Sequence, residues 1–368
     1  MMPLREMMFL MVISALSSAI ITVLCKKAAL KTGFIDVPSS RKMHTQKVPL
    51  LGGLSIFLNI LVITLLAIIF IELNIRYKLI ESLNIYFLPN YTGMVAKLPQ
   101  LAAIFFGGLM ITAAGLYDDK YDLKPAAKII LQLAAATIPI LCGIKASLFL
   151  GNNVLSILVT YIWFFLIINA FNLLDNADGL SAGVALISTV VFAAISLTAG
   201  ELFISSMLFI LAGTLAGFLF FNFHKATIFM GDAGSMFLGY ILAVFTTLGT
   251  YYTSESKTLF PILMPIIVLA VPLYDTFSVI IVRIYKGVSI FIADKNHFSH
   301  RLMRLGFSYK AAIIFIYTIC LCTGIAAIIL PEIDNLVSSL LILSQVILIL
   351  FIIGILEYYG AYNGRKKD

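Results

Sequence analysis

The sequence is short of charge. Only 12% of its 368 residues are Asp, Glu, Lys or Arg, while 61% are hydrophobic and the mean hydropathy is +1.05. A soluble domain carries about 25% charged residues, so roughly half of the usual solvating surface is missing. No long polar stretch interrupts the apolar runs, which excludes a separate soluble domain. Cysteine is equally scarce. Cys25, Cys142, Cys320 and Cys322 all lie in or beside apolar segments, and the last two fall on different faces of one helix. They give no basis for redox or zinc chemistry and read as small hydrophobes. The first apolar run follows Arg5 without a small-residue cleavage site, so it reads as a retained span.

What is abundant is apolar sequence in runs of about 18 or more residues, each long enough to cross a bilayer. Barrel-like alternation is absent, so each span must satisfy its backbone as a helix. The expected spans are 7–25, 50–71, 100–117, 128–145, 155–171, 180–198, 203–221, 235–252, 260–282, 311–330 and 336–358. This predicts an all-α, polytopic integral membrane protein of about eleven transmembrane helices, forming a single membrane-embedded domain over 1–368. Of the 25 Lys and Arg residues, 19 fall in the loops after odd-numbered spans and in the C-terminal tail. The positive-inside rule then puts the N-terminus outside and the C-terminus in the cytoplasm. The net charge of +7 is explained by basic loops facing an anionic leaflet and requires no nucleic acid.

With that orientation the polar residues gather on the cytoplasmic side, in loops at about 26–49, 118–127, 172–179, 222–234 and 283–310. The first loop carries Arg41, Lys42, His44 and Lys47 ahead of the paired glycines Gly52-Gly53, a setting for a phosphate-bearing ligand. The second contains Asp118-Asp119, with Asp122 one turn on; carboxylates beside lipid need a partner, and the pattern suits equally a Mg²⁺ ion that bridges to phosphate or a base that deprotonates a phosphate. In the third, Asn169, Asn172, Asp175, Asn176 and Asp178-Gly179 occur with no local cation. Asn169 and Asn172 share a helical face and could read the edges of a base or a sugar. The fourth, Asn222-Phe-His224-Lys225 through Gly231-Asp232-Ala-Gly234-Ser235, places one carboxylate among glycines at a helix start, open to a metal or a phosphate oxygen. The fifth holds Asp294, His297, His300, Arg301 and Arg304, a composition closer to a pyrophosphate clamp than to a zinc site. Asp275 lies inside the ninth span and is a functional candidate on that ground. An ion-coupled transporter is the rival class, but transporters favour pseudo-symmetric halves with midplane sites. No internal repeat is evident, and the clusters share one interface.

From Asp36 to about Ser308 these segments resemble the polyprenyl-phosphate N-acetylhexosamine-1-phosphate transferases, in the WecA- and TagO-like branch. The resemblance rests on Arg41-Lys-x-His44…Pro49-x-x-Gly52-Gly53, Asp118-Asp119, Asn169-x-x-Asn172-x-x-Asp175-x-x-Asp178-Gly179, Gly231-Asp232-x-Gly234-Ser235 and Pro272-Leu-x-Asp275-Thr. It implies transfer of N-acetylhexosamine 1-phosphate, GlcNAc-1-phosphate first of all, from a UDP-sugar to undecaprenyl phosphate with release of UMP. A phospho-MurNAc-pentapeptide translocase is the alternative. It further implies Mg²⁺, or Mn²⁺ in its place, and a bacterial inner-membrane enzyme with its active site on the cytoplasmic face; a homodimer is a candidate assembly. By matching positions Asp118, Asp119 and Asp232 are the catalytic carboxylates, with Asp118 as the candidate base and Asp232 and Asp119 on the metal. Lys47, Asn172, Asp175 and Asp178 hold the uridine and its phosphates, and His297, His300 and Arg301 engage the sugar and diphosphate. One position departs from the branch: Ser299 stands before His300 where a histidine is usual.

Overall fold

The structure, a computed structural model, describes residues 4–37, 47–146, 152–251, 258–290, 294 and 296–364. Its helices are α1 (Leu4–Thr32), α2 (Gly52–Tyr77), α3 (Glu81–Tyr121), α4 (Pro125–Leu141), α5 (Asn153–Leu174), α6 (Leu180–Thr198), α7 (Leu202–Asn222), α8 (Gly231–Leu248), α9 (Met264–Val268), α10 (Ala270–Tyr285), α11 (Phe298–Arg304), α12 (Tyr309–Ile329) and α13 (Leu336–Gly364). Two-residue strands, β1 (Ile35–Asp36) and β2 (Val48–Pro49), pair antiparallel between α1 and α2. Every expected span has a helical counterpart. Nine helices among the described residues are long and apolar enough to cross a membrane, and the bent α9–α10 pair makes a tenth. The shorter apolar helix α4 corresponds to the remaining span. The chain is a multi-pass membrane protein.

Two elements differ from expectation. The stretch 72–99, expected between spans, is almost wholly helical: α2 runs on to Tyr77, and α3 begins at Glu81 and continues through Pro89 and Pro99. Near lipid a helix interrupted at proline has few other partners for its backbone, so continuing costs less than stopping. The ninth span is broken, with a 69° bend between α9 and α10 at Leu269. Pro272 supplies the cause, because its ring clashes with the carbonyl four residues back, at Val268, and it has no N–H to bond there.

The centre of the bundle is α8. Its apolar window is 78% buried, against 22% for α1 and 17% for α13. It packs against α2, α3 and α5. Close approach depends on missing side chains. A Cβ on Gly53 would fall 2.1 Å from the Gly234 nitrogen, and one on Gly115 would fall 2.3 Å from the Ala233 Cα. Further out, α1 and α7 meet through Gly213 and Gly217, whose added Cβ atoms would each lie 2.2 Å from an α1 carbonyl. This is the small-xxx-small solution to packing without a hydrophobic driving force. Hydroxyls fill the seam: Ser14 Oγ donates to Ile210 O (2.7 Å), Ser18 Oγ to Thr214 O (2.7 Å), and Asn59 Nδ2 to Thr214 Oγ1 (2.8 Å).

Gly53→Ala should therefore lower the thermal-unfolding midpoint of detergent-purified protein, by the equivalent of about 1–3 kcal/mol of overpacking. Gly93→Ala, where an added Cβ meets nothing within 4 Å, should leave the midpoint unchanged.

Candidate active site

Helices of alternating direction bring their polar ends to one side of the bundle. The C-terminal ends of α3, α5 and α7 face the N-terminal ends of α2, α4, α6 and α8 there. The structure thus brings Asp118, Asp119, Asn172 and Asp232 together, with Asp118 and Asp119 in the last turn of α3 and not in a loop.

The α3–α4 turn is tight. Asp122 takes a left-handed conformation (φ 52°), its N–H donates to the Asp118 carbonyl, and Pro125 opens α4; Asp tolerates that region better than most residues. Lys128 in the first turn of α4 is thereby folded back over Asp118. Its Nζ lies 2.6 Å from Asp118 Oδ2 and 2.6 Å from Asp232 Oδ2. The other Asp118 oxygen accepts the Leu123 N–H at 2.8 Å. Asn172 completes the support, donating from Nδ2 to Asp232 Oδ1 (2.8 Å) and to Ser235 Oγ (2.9 Å).

Asp119 does something different. Its two oxygens accept the backbone N–H groups of Asp232 (2.8 Å) and Ala233 (3.3 Å). No side chain from α8 itself caps that helix, so a carboxylate from α3 meets the positive end of its dipole. Gly231 (φ 65°) leaves the space, because a Cβ there would meet Asp119 Oδ2 at 2.5 Å.

Asp175 follows α5 at its C-terminal end. Burial, and then the charges of Asp232, Asp119 and Asp178, hold its carboxyl well above the usual carboxylate range. The site is an oxygen-rich cluster of carboxylates in which Lys128 is the cation paired with Asp118 and Asp232. One or two carboxylates with room for ligand oxygens suit Mg²⁺, which keeps several of its ligands from water and phosphate. Among the described residues no three acid, His or Cys side chains are grouped so as to hold a metal ion by themselves.

Asp178 accepts the Ala226 N–H at 3.0 Å and lies 3.4 Å from His224 Nδ1. The His224 ring stacks on Tyr309, 4.3 Å between centroids. Gly179 caps α6 with a left-handed backbone (φ 75°), donating to Asn222 Oδ1 (3.1 Å) and accepting from Tyr317 OH (2.5 Å). Asn169, expected to share the reading face of Asn172, instead exchanges hydrogen bonds with Gln132 at 2.8 and 3.3 Å.

The fifth loop folds onto this group. Ser299 Oγ donates to Asn176 Oδ1 at 2.5 Å. His297 Nδ1 lies 3.0 Å from Asp275 Oδ2, and the residue is buried. The His300 ring is 6.0 Å from that of His297. Arg301 is buried and lies 2.8 Å from Glu357 Oε1. Arg283 forks onto Asp294 at 3.2 and 3.3 Å; burial works against the charged form of Asp294, but the guanidinium and the Asn296 amide hold its carboxyl at about 2. Lys47 is exposed beside β2, two residues from Pro49, whose carbonyl accepts the Phe229 N–H just before α8. Arg41, Lys42, His44 and Lys295 lie outside the described residues.

Sequence reasoning passes over Lys128, Gln132, Tyr309, Tyr317 and Glu357 as site residues. Lys128 does leave a signal: a cation in the first turn opposes the helix dipole and so requires a carboxylate partner. Lys128→Met should strand the buried Asp118 and lower the unfolding midpoint by the equivalent of about 3 kcal/mol. The double substitution Lys128→Met/Asp118→Asn should recover part of that loss, read by the same melt.

Residues 101–250 match the family described as Glycosyl transferase family 4. Over 364 residues the chain is 35% identical to a Bacillus subtilis protein named "Probable undecaprenyl-phosphate N-acetylglucosaminyl 1-phosphate transferase", covering 97% of this chain and 93% of that one. It is 32% identical to the decaprenyl-phosphate N-acetylglucosaminephosphotransferase of Mycolicibacterium smegmatis, over 86% of this chain and 80% of that relative. It is 26% identical to the undecaprenyl-phosphate alpha-N-acetylglucosaminyl 1-phosphate transferase of Escherichia coli O157:H7, over 90% and 84%. With its carboxylates, asparagines and glycines drawn to one end of the bundle as described, the chain belongs to glycosyl transferase family 4.

Proposed function

We propose that this protein transfers an N-acetylhexosamine 1-phosphate, GlcNAc-1-phosphate in the first instance, from a UDP-sugar to undecaprenyl or another polyprenyl phosphate, releasing UMP. The observation that carries the reading is the Asp118–Lys128–Asp232 bridge across the ends of α3, α4 and α8. It occurs in a chain similar over nearly its whole length to a relative named for that transfer. We place the site on the cytoplasmic face of the bacterial inner membrane, with the N-terminus outside and the C-terminus cytoplasmic, from the Lys and Arg distribution. The product would initiate a cell-envelope glycopolymer.

In this reaction an oxygen of the lipid phosphate attacks the sugar-bearing phosphorus, and the bond from that phosphorus to the oxygen of UMP breaks. A phosphate monoester with a second pKa near 6 is already largely a dianion at neutral pH, so the main tasks are neutralising charge and aligning the phosphates. Lys128, held between two carboxylates at the end of the bundle, supplies a positioned cation. Asp118 holds Lys128 through Oδ2 and is retained as the candidate base. Asp232 and Asp119 are assigned to a Mg²⁺ ion, with Mn²⁺ as its substitute, and Asp119 also holds the Asp232 backbone N–H. The bound ion would neutralise phosphate charge in the transition state. Asn172, Asp175, Asp178 and Lys47 are assigned to the nucleotide. His297 and His300 are assigned to the sugar diphosphate.

Membranes carrying the protein, given polyprenyl phosphate, Mg²⁺ and UDP-GlcNAc labelled in the sugar, should release UMP and form a butanol-extractable labelled lipid. EDTA should abolish the product and added Mg²⁺ restore it. Asp232→Asn should lower turnover by about 10²-fold or more; full activity in that variant would overturn the metal assignment. A tag after Asp368 should be protected in intact cells, and labelling from outside would overturn the orientation.

A further inference from the structure

The last helix, α13, is mostly lipid-facing, with 17% of its apolar window buried. Yet Glu357 near its end turns inward and is only 9% exposed. An acid directed into the protein from such a helix is costly unless it is paired. Glu357 Oε1 lies 2.8 Å from Arg301 Nε, and Glu357 Oε2 accepts the Tyr274 hydroxyl at 2.7 Å. Arg301 is itself 8% exposed. Its remaining nitrogens donate to Ser278 Oγ (2.6 Å) and to the Asn296 carbonyl. Among the described residues, Glu357 is the carboxylate within ion-pair distance of Arg301. The guanidinium is thus tied to α10, α13 and the segment before α11.

Those contacts surround α11. At its start Asp275 accepts the Phe298 N–H at 2.6 Å and meets His297 Nδ1 at 3.0 Å. The Tyr274 ring packs edge-on against Phe298, 5.5 Å between centroids. On the side facing the pocket, Ser299 reaches Asn176, next to Asp175. A helix of seven residues has little stability of its own, so its orientation is set by these three attachments together with the Arg301–Glu357 pair. We propose that Glu357 is a positioning residue: through Arg301 it holds α11 so that His297 and Ser299 face the Asp175–Asp178 segment. The C-terminal helix is then part of the donor-binding architecture. Neutralising Glu357 leaves a buried guanidinium without its counter-charge, and Arg301 can regain solvation only if α11 tilts away from the pocket.

The kinetic arm of the test rests on the transfer reading; the structural arm does not. With full-length purified protein, Glu357→Gln should raise KM for UDP-GlcNAc about tenfold and leave KM for polyprenyl phosphate within about twofold. Hydrogen exchange of segment 298–304 should quicken while α5 and α8 stay protected. Glu357→Asp should rescue most of both effects, and Tyr274→Phe, which keeps the ring, should give a smaller change of the same kind if Glu357→Gln fails to fold. Unchanged exchange in 298–304 overturns the proposal. So does quickened exchange with unchanged KM for UDP-GlcNAc, because α13 would then only anchor α11. If the wild-type chain turns over no UDP-sugar, the transfer reading fails alone, and the exchange data still decide whether Glu357 holds α11.

Discussion

The Asp119 carboxylate on the backbone N–H groups of Asp232 and Ala233 is the contact on which the site depends. It joins the end of α3 to the beginning of α8 by charge and dipole at once, in a place where glycines allow the two backbones nearly to touch. The carboxylate cluster is registered to that junction. Asp232 is the residue whose N–H is held, so its side chain has a defined direction. Lys128 and Asn172 then meet that side chain from α4 and α5. Loosening α8 by even a fraction of a turn would disperse the group.

Why the chemistry lies at one end follows from the solvent. A bilayer core forbids unpaired backbone and penalises isolated charge, so polar residues accumulate where helices start and stop. Among the described residues, charge in the helical layer is paired between Glu357 and Arg301 and between Lys128 and two acids, and Asp275 meets His297. Such pairs contribute little net stability over apolar packing but are costly to break. That asymmetry makes them suitable for fixing the orientation of short elements such as α11.

Much of this was legible in the sequence. Eleven apolar runs gave eleven helical counterparts, because length and hydropathy decide a membrane span almost alone. The carboxylates and Asn172 were visible because unpaired acids beside lipid are conspicuous. Which acid does what was not. Asp118 and Asp119 are adjacent in sequence, yet one holds a lysine and the other caps a helix from a different part of the chain, a distinction made only by tertiary contact. Arg301 looks like a diphosphate ligand by composition, and spacing does not show that Glu357, 56 residues later in the chain, pairs with it. The break at Leu269 had a visible cause in Pro272, but hydropathy averages across such a bend. Ser299, which departs from the histidine of the resembling branch, proves to be a buried hydrogen-bond donor to Asn176, a role that spacing does not reveal.

The central claim is that a sugar phosphate moves, and not a sugar. It is tested most directly with UDP-GlcNAc carrying radioactive phosphorus in the phosphate nearest the sugar, incubated with purified protein, Mg²⁺ and polyprenyl phosphate. The label should appear in the lipid product, and the released nucleotide should be unlabelled UMP. Label leaving with the nucleotide, as UDP, would contradict it.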